Sequence, residues 1–386
     1  MKLPEPSADA LAQSDALLSR LRAHIQSAGG WIGFADYMHA ALYTPALGYY
    51  SGGAHKFGAQ GDFITSPELT PLFGQALAAQ VAEVMAQSEP VVLEVGAGTG
   101  HLAADLLLAL DELGSTPDCY QILEVSGELR ERQAETVRQR APALFDRVRW
   151  IDALPGAFSG AVVANEVLDV MPVHLLVWRD GGVFERGVSI NDHGALVWAD
   201  EPAPAHLQAA AQALGAPMPQ EGEYVSELNL AGEAWMRDWG ARLVRGALIM
   251  IDYGYPRAEY YLPSRSNGTL LCYYRHQAHP DPFKWPGLND ITAFVDFTAM
   301  AEAAHNGGLE IYGYANQASF LFNCGILERL ALRGDEREPD YIRAARAVQR
   351  LTTPQEMGEL FKVLVAGKGL REPLLGFRRG NRLHTL

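Results

Sequence analysis

The apolar and polar positions of this chain follow two different periods, and the period changes several times along it. In "DALLSRLRAHIQSAGG" the apolar residues recur at helical spacing, and Gly29 and Gly30 mark the stop. "WIGFADYMHAALYTPALGYYSGG" predicts a short helix that breaks into a loop rich in Pro, Gly and Tyr. In "GDFITSPELTPLFGQALAAQVAEVM" a loop leads into a helix beginning near Pro67, with Ser66 as its N-cap. From Val91 short β-rich runs alternate with helical stretches. "VVLEV", "CYQILEVS", "VRWIDAL" and "GAVVANEV" read as strands, and "HLAADLLLALDEL" and "GELRERQAETVRQRA" as the helices between them. This rhythm predicts an α/β fold whose doubly wound, mostly parallel sheet is covered on both faces.

The rhythm then breaks. "VHLLVWRDGGVFERGVSI" and "GALVWAD" predict an antiparallel meander with a Gly-Gly turn, followed by a Pro/Ala-rich loop and a helix around "ELNLAGEAWMRDWGARL". The sheet resumes at "GALIMIDYG", an apolar central strand. A long irregular segment follows, of the kind that tends to carry function in a compact domain. The strands "LEIYGYA" and "FKVLVA" close the pattern, with further helices around them.

Candidate chemistry starts at "LEVGAGTGHL". Glu94, Gly96, Ala97, Gly98 and Gly100 form an acidic-x-Gly-x-Gly-x-Gly turn between a strand and a helix. Glycines there let the backbone approach a ligand closely, and the helix start offers free N–H groups to a carboxylate or phosphate. A dinucleotide turn would place its third glycine one residue later, and Glu94 would repel a pyrophosphate. S-adenosylmethionine carries an ammonium and a carboxylate but no phosphate, and it suits the pattern better. Glu124 ends the second strand, where a carboxylate can accept both ribose hydroxyls, and Asp152 ends the third, within reach of an adenine amino group. Three successive strand ends thus point to S-adenosyl-L-methionine. After the fourth strand, "ANEVLDVMPV" puts Asn165, Glu166 and Asp169 where a methyl acceptor would lie. The bland alternative is a helix cap.

The motifs "GYYSGG", "GDFITSPELTPLFGQALAAQV", "LEVGAGTGHL", "YQILEVSGELRERQ", "NEVLDVMPV", "IDYGY", "TLLCYYRH" with "DITAFVDF", and "QASFLFNCGI" together resemble the MidA-type family of S-adenosylmethionine-dependent methyltransferases. The likeness runs from about Trp31 to about Val365. It implies a class I methyltransferase-like seven-stranded sheet and transfer to a nitrogen acceptor, most naturally a protein arginine guanidinium, since the family includes the mitochondrial assembly factor for respiratory complex I. A small-molecule methyltransferase, or a non-catalytic assembly chaperone that keeps cofactor binding, are the alternatives. The resemblance also implies a lid over the cofactor that includes Asp62, Thr65 and Ser66. Asp252 and Tyr253, at the end of the fifth sheet strand, are candidates to line the acceptor pocket, and His276, Asp290 and Thr292 of the long irregular segment are candidates to touch the substrate. Ala97 stands where the family more often has Pro, at a position that need not contribute a side chain.

These readings give an expected organisation. Residues 1–89 supply N-terminal helices and the lid, 90–172 and 241–386 the methyltransferase core, and 173–240 an inserted β-rich and helical lobe, in one compact unit overall. The net charge of −15 argues against a nucleic-acid partner or an anionic membrane surface. No apolar run suggests membrane insertion. The three cysteines are odd in number and far apart, which suggests free thiols in a reducing compartment, and the scattered histidines lack metal-ligand spacing. Without a visible signal or mitochondrial presequence, the expected location is the cytoplasm of a bacterium. The expected partner is a protein presenting an arginine, a respiratory-chain subunit being one candidate, with oligomeric state left open.

Overall fold

A computed structural model describes residues 3–52, 65–217, 219 and 221–386. These residues divide into two compact units. One is built from Met1–Phe63, Leu168–Gly232 and Pro256–Asp296, and the other from Ile64–Val167, Glu233–Tyr255 and Phe297–Leu386. This division differs from the expected one: the first sixty or so residues and the irregular segment after Tyr255 group with the lobe, not with the core. The physical reason lies in the apolar faces. Leu17, Leu21 and Ile25 of the first helix form one core cluster with Leu175 and Val188 of the meander and Ile291 of the irregular segment.

The second unit carries the α/β core. In chain order it contains α1 (Ser66–Leu69), α2 (Pro71–Met85), β1 (Val91–Val95), α3 (His101–Glu112), β2 (Cys119–Leu123), α4 (Gly127–Arg140), β3 (Val148–Ile151), β4 (Phe158–Asn165), β5 (Leu243–Tyr255), β6 (Glu310–Asn316) and β7 (Phe361–Lys368). The seven strands named here run in the order β3-β2-β1-β4-β5-β7-β6. Neighbours from β3 to β5 are parallel, whereas β7 is antiparallel to both β5 and β6. Strands β1, β4, β5 and β7 are almost continuously buried, as a sheet covered on both faces requires, while β2 alternates between buried and half-buried positions. The strand order reverses between β1 and β4, the place where open α/β sheets bind ligands beyond their carboxyl ends.

Around α1 the structure corrects a detail. Ser66 is not the cap of a long helix but the first residue of a four-residue one whose N-cap is Thr65. The long helix starts only at Pro71, capped by Thr70, whose hydroxyl accepts from the Leu72 N–H. Proline at the first helical position explains that start, because its missing N–H is one the helix would leave unpaired.

The first unit holds two antiparallel sheets. In the larger, Gly182–Ile190 pairs with Trp31–Gly33, His174–Arg179 and Leu196–Pro202, and Tyr224–Leu228 pairs with His174–Arg179. The meander is therefore where the alternation predicted it. The Pro/Ala-rich stretch is a helix, Ala205–Leu214, not a loop, and the residues before "NLAGEAW" form the strand Tyr224–Leu228. In the smaller sheet Leu271–Tyr274 pairs with Gln277–His279 and Asp290–Thr292, which gives the irregular segment a backbone frame.

Candidate active site

The site in the α/β unit follows from register. Val95 lies beside Leu123 and Ala164, Leu123 beside Ile151, and Asn165 beside Ile251. The residues that follow at these strand ends therefore form a staggered row along one edge of the sheet: Gly96, Glu124 and Asp152 are level with Asn165, and Glu166 and Asp252 lie one residue further on. Backbone hydrogen bonds extend the ladder into that row, from the N–H groups of Gly96, Glu124 and Glu166 to the carbonyls of Leu123, Ile151 and Ile251.

At the centre of the row the glycine turn uses left-handed backbone at Gly96, Gly98 and Gly100, with φ of 70°, 51° and 83°. Their surroundings differ. A Cβ on Gly100 would stand 2.9 Å from the Cα of Gln133, so this glycine lets α3 and α4 meet. A Cβ on Gly98 would meet nothing within 4 Å, so the turn is open on that side. Ala97 contributes its carbonyl, which accepts from the Gly100 N–H. Behind the turn, Glu94 is buried and accepts a 2.6 Å hydrogen bond from the Tyr120 hydroxyl. Burial pushes the Glu94 carboxyl up to about 7, and the Asp105 charge adds to this against the Tyr120 bond.

That shift has a stability consequence of definite sign. Between pH 4.5 and 7 the folded state holds a proton on Glu94 that the unfolded chain releases, so stability falls as pH rises through this window. Asp105, raised to about 6 by burial, acts in the same direction at lower pH. A shift of this size corresponds to about 3 kcal/mol. The Glu94→Gln variant, which can still accept from Tyr120, is expected to lose a smaller part of its melting temperature between pH 5 and 8 than the wild-type protein. Parallel thermal melts across that range check this, and equal slopes would remove Glu94 as the source.

On one side of the turn, Glu124 is buried with its two oxygens held apart. One accepts from the Ser126 N–H at 2.8 Å and the other from Gln133 Nε2 at 3.0 Å. A carboxylate offers about four lone-pair positions, so each oxygen keeps one for a further donor. Gln133 is completely buried and was not apparent from the sequence. Its amide also donates to the Gly98 carbonyl at 3.1 Å, while its oxygen accepts from Trp150 Nε1 at 2.9 Å. One side chain thus ties the glycine turn to the ends of the next two strands. The sequence signal for it is slight: Leu129, Gln133 and Val137 recur every four residues on a helix that is otherwise charged. Asp152, expected near an adenine, is exposed and pairs with Arg130, whose guanidinium also donates to the carbonyls of Glu124 and Ile151. Val125, next to Glu124, is 76% exposed, an apolar surface beside the acid.

On the other side, Glu166 leaves β4 with φ of 53°, a left-handed conformation that costs a residue with a Cβ about 1–2 kcal/mol. Strain of this kind concentrates at functional sites. Its Oε1 accepts from Asn165 Nδ2 at 3.0 Å and from the backbone N–H of Ser66 at 3.4 Å. Asp252, in the same row, is buried and accepts from the N–H groups of Val167 and Tyr253. Tyr253 packs edge-on against Phe361. In α1, Glu68 accepts from the Thr99 hydroxyl of the glycine turn at 3.3 Å. Ser66 and Glu68 therefore attach the short helix to Glu166 and to the turn respectively. Thr65 is its N-cap, and Asp62 lies outside the described residues.

The remaining expected site residues belong to the first unit. The Asp169 backbone carbonyl accepts from the Ala293 N–H, and Asp290 accepts from the Tyr50 hydroxyl at 2.9 Å. Burial, and then the Asp290 charge, hold the Tyr43 and Tyr50 hydroxyls well above their usual range. His276 is an exposed residue of the two-residue turn joining Leu271–Tyr274 to Gln277–His279. With Arg275 it takes the positive φ that such hairpin turns demand.

The profile of a family described as "Putative S-adenosyl-L-methionine-dependent methyltransferase" matches residues 74–315. The chain belongs to that family. This methyltransferase is similar to "Protein arginine methyltransferase NDUFAF7, mitochondrial" of Mus musculus, 31% identical over 388 residues that span 90% of this chain and 84% of the relative. It is 29% identical to the Drosophila melanogaster homologue of that name, over 97% of this chain and 91% of the relative. Among solved structures it is similar to a Burkholderia thailandensis protein crystallised with S-adenosyl-homocysteine, with 51% identity, a TM-score of 0.96 and complete coverage of both chains.

S-adenosyl-L-methionine is accordingly the cofactor of this methyltransferase, and the row fits it. Gly98 opens an uncrowded cradle at a helix start, and Glu124 presents spare acceptor positions for a vicinal diol. Among the described residues no group of acids, histidines and cysteines could hold a metal ion, and no helix is long and apolar enough to cross a membrane.

Proposed function

We propose that this methyltransferase modifies the guanidinium of an arginine in a protein, with the cofactor on the Gly98–Glu124 side of the row and the acceptor at Glu166. The observation that carries this reading is the strained, anchored carboxylate of Glu166. A guanidinium presents its N–H groups in a planar fork, which a carboxylate meets with two parallel hydrogen bonds. Asn165 and the Ser66 N–H hold one oxygen, so the carboxylate is fixed before the acceptor arrives. Such fixing places one terminal nitrogen for attack, and alignment of this kind supplies much of a transfer reaction's rate. When bound, the cofactor supplies an electrophilic methyl group on a sulfonium. Transfer that breaks the sulfonium S–CH₃ bond as the N–CH₃ bond forms would leave the electron pair on sulfur and release one N–H proton to solvent, while Glu166 would balance the positive charge of the acceptor throughout. Glu124 would hold the ribose and the glycine turn the methionine end, with Val125 as an apolar surface for the adenine. The names of the curated relatives, each a protein arginine methyltransferase, support the choice of arginine.

A protein of the respiratory chain is the first class of partner to test, in keeping with the family resemblance. The free thiols Cys119, Cys272 and Cys324 suit a reducing compartment, which supports a cytoplasmic location. The test is to incubate the purified protein with methyl-labelled cofactor and a lysate of cells lacking it, then hydrolyse the protein fraction to amino acids. Label in methylarginine is the expected result. Label in another amino acid, or only in small molecules, would replace arginine as the acceptor.

A further inference from the structure

Two polar atoms beside Glu166 are buried without a hydrogen-bond partner among the described residues: Ser66 Oγ and Asn165 Oδ1. Both belong to residues whose other polar groups are committed to the Glu166 carboxylate, Ser66 through its backbone N–H and Asn165 through its amide nitrogen. The commitment of Asn165 also fixes its orientation. An ionised carboxylate only accepts, so the NH₂ must face Glu166, and the amide oxygen is left as a buried acceptor on the other side of the amide. Ser66 is fully buried, and its hydroxyl has no hydrogen-bond partner among the described residues. Buried polar atoms are nearly always paired, so orphans gathered around one strained acid point to donors brought in by a ligand.

We infer that Ser66 Oγ and Asn165 Oδ1 read the acceptor directly: they take N–H groups of the bound guanidinium that the Glu166 carboxylate does not, and so select arginine over lysine. This rests on the arginine reading above. A guanidinium carries five N–H donors in a fixed plane, whereas an ammonium carries three on a single nitrogen. One carboxylate accounts for two. Two neutral acceptors next to it raise the number of donors that can be matched, and they do so without adding negative charge that would favour any cation equally. Ser66 thereby changes its expected role from a lid residue over the cofactor to a contact for the methyl acceptor.

The test uses two defined probes, N-acetyl-arginine methylamide and its lysine counterpart, titrated by calorimetry into the protein saturated with S-adenosyl-homocysteine. The wild-type protein is expected to bind the arginine probe more tightly than the lysine probe. Ser66→Ala, which keeps the backbone N–H on Glu166, is expected to weaken the arginine probe about tenfold, the loss typical of one buried hydrogen bond. It should leave the lysine probe and the affinity for S-adenosyl-homocysteine unchanged. Asn165→Ala should narrow the preference further. Equal arginine affinity in wild type and Ser66→Ala, with the wild-type preference present, would overturn the role of Ser66 alone. No preference for the arginine probe in the wild-type protein would instead overturn the arginine reading on which it rests.

Discussion

Glu166→Gln is expected to lower methyl transfer at least about a hundredfold while leaving the fold and cofactor affinity intact. The magnitude is that of removing one preorganised electrostatic group from an active site. The structure gives the reason for both halves of this expectation. The glutamine oxygen can still accept from Asn165 and Ser66, so the turn out of β4 keeps its supports. The amide nitrogen must then face the acceptor, where its N–H groups oppose those of a guanidinium and its neutrality leaves the acceptor charge unbalanced. Single-turnover transfer at saturating cofactor measures the effect. A wild-type rate in the variant would make the strain at Glu166 a matter of chain geometry only.

The glycine turn should separate binding from folding. Gly98→Val is expected to weaken S-adenosyl-homocysteine by at least about a hundredfold in a protein that still folds, since a Cβ there meets nothing within 4 Å among the described residues and the bulk falls where the turn would meet the cofactor. Its left-handed φ adds a local cost of about 1–2 kcal/mol. Gly100→Ala is the contrasting case. Its Cβ would press on the Gln133 backbone and displace the side chain that joins the turn, Glu124 and Trp150. A lowered melting temperature is expected to accompany its loss of binding. Calorimetric titration and thermal melts of the two variants decide the matter, and unchanged cofactor affinity in a folded Gly98→Val protein would exclude the cradle.

Much of this site is legible in the sequence because strand ends are local. "LEVGAGTG", "ILEVS", "WIDAL" and "ANEV" each announce a strand end, and parallel pairing brings these ends to one edge of the sheet, with Glu166 one residue beyond the level of Gly96, Glu124 and Asp152. What joins the row is not local. Gln133 looks like one more polar residue of a charged helix until α4 packs against Gly100. The bond from the Ser66 N–H to Glu166 spans a hundred residues, which no periodicity can foresee. Two elements are misread for different reasons. Ala205–Leu214 reads as a loop because prolines flank it, although its interior is rich in alanine and helix-forming residues, whereas the strand Tyr224–Leu228 is separated from the following helix by Asn229 alone, the helix cap that accepts from the Gly232 N–H, so the two read as one helix.

The most direct test pairs Glu124→Ala with Glu166→Gln in one experiment, because the row is held to bind the methyl donor on one side and present the acceptor on the other. Each variant is measured for S-adenosyl-homocysteine affinity and for single-turnover transfer at saturating cofactor. Glu124→Ala should weaken cofactor binding about tenfold or more, the loss expected of hydrogen bonds to a charged group, with transfer close to wild type once saturated. Glu166→Gln should do the reverse, keeping affinity and losing the transfer step. Loss of the same parameter in both variants, or a Glu166→Gln protein that transfers at the wild-type rate, would contradict the division of the row.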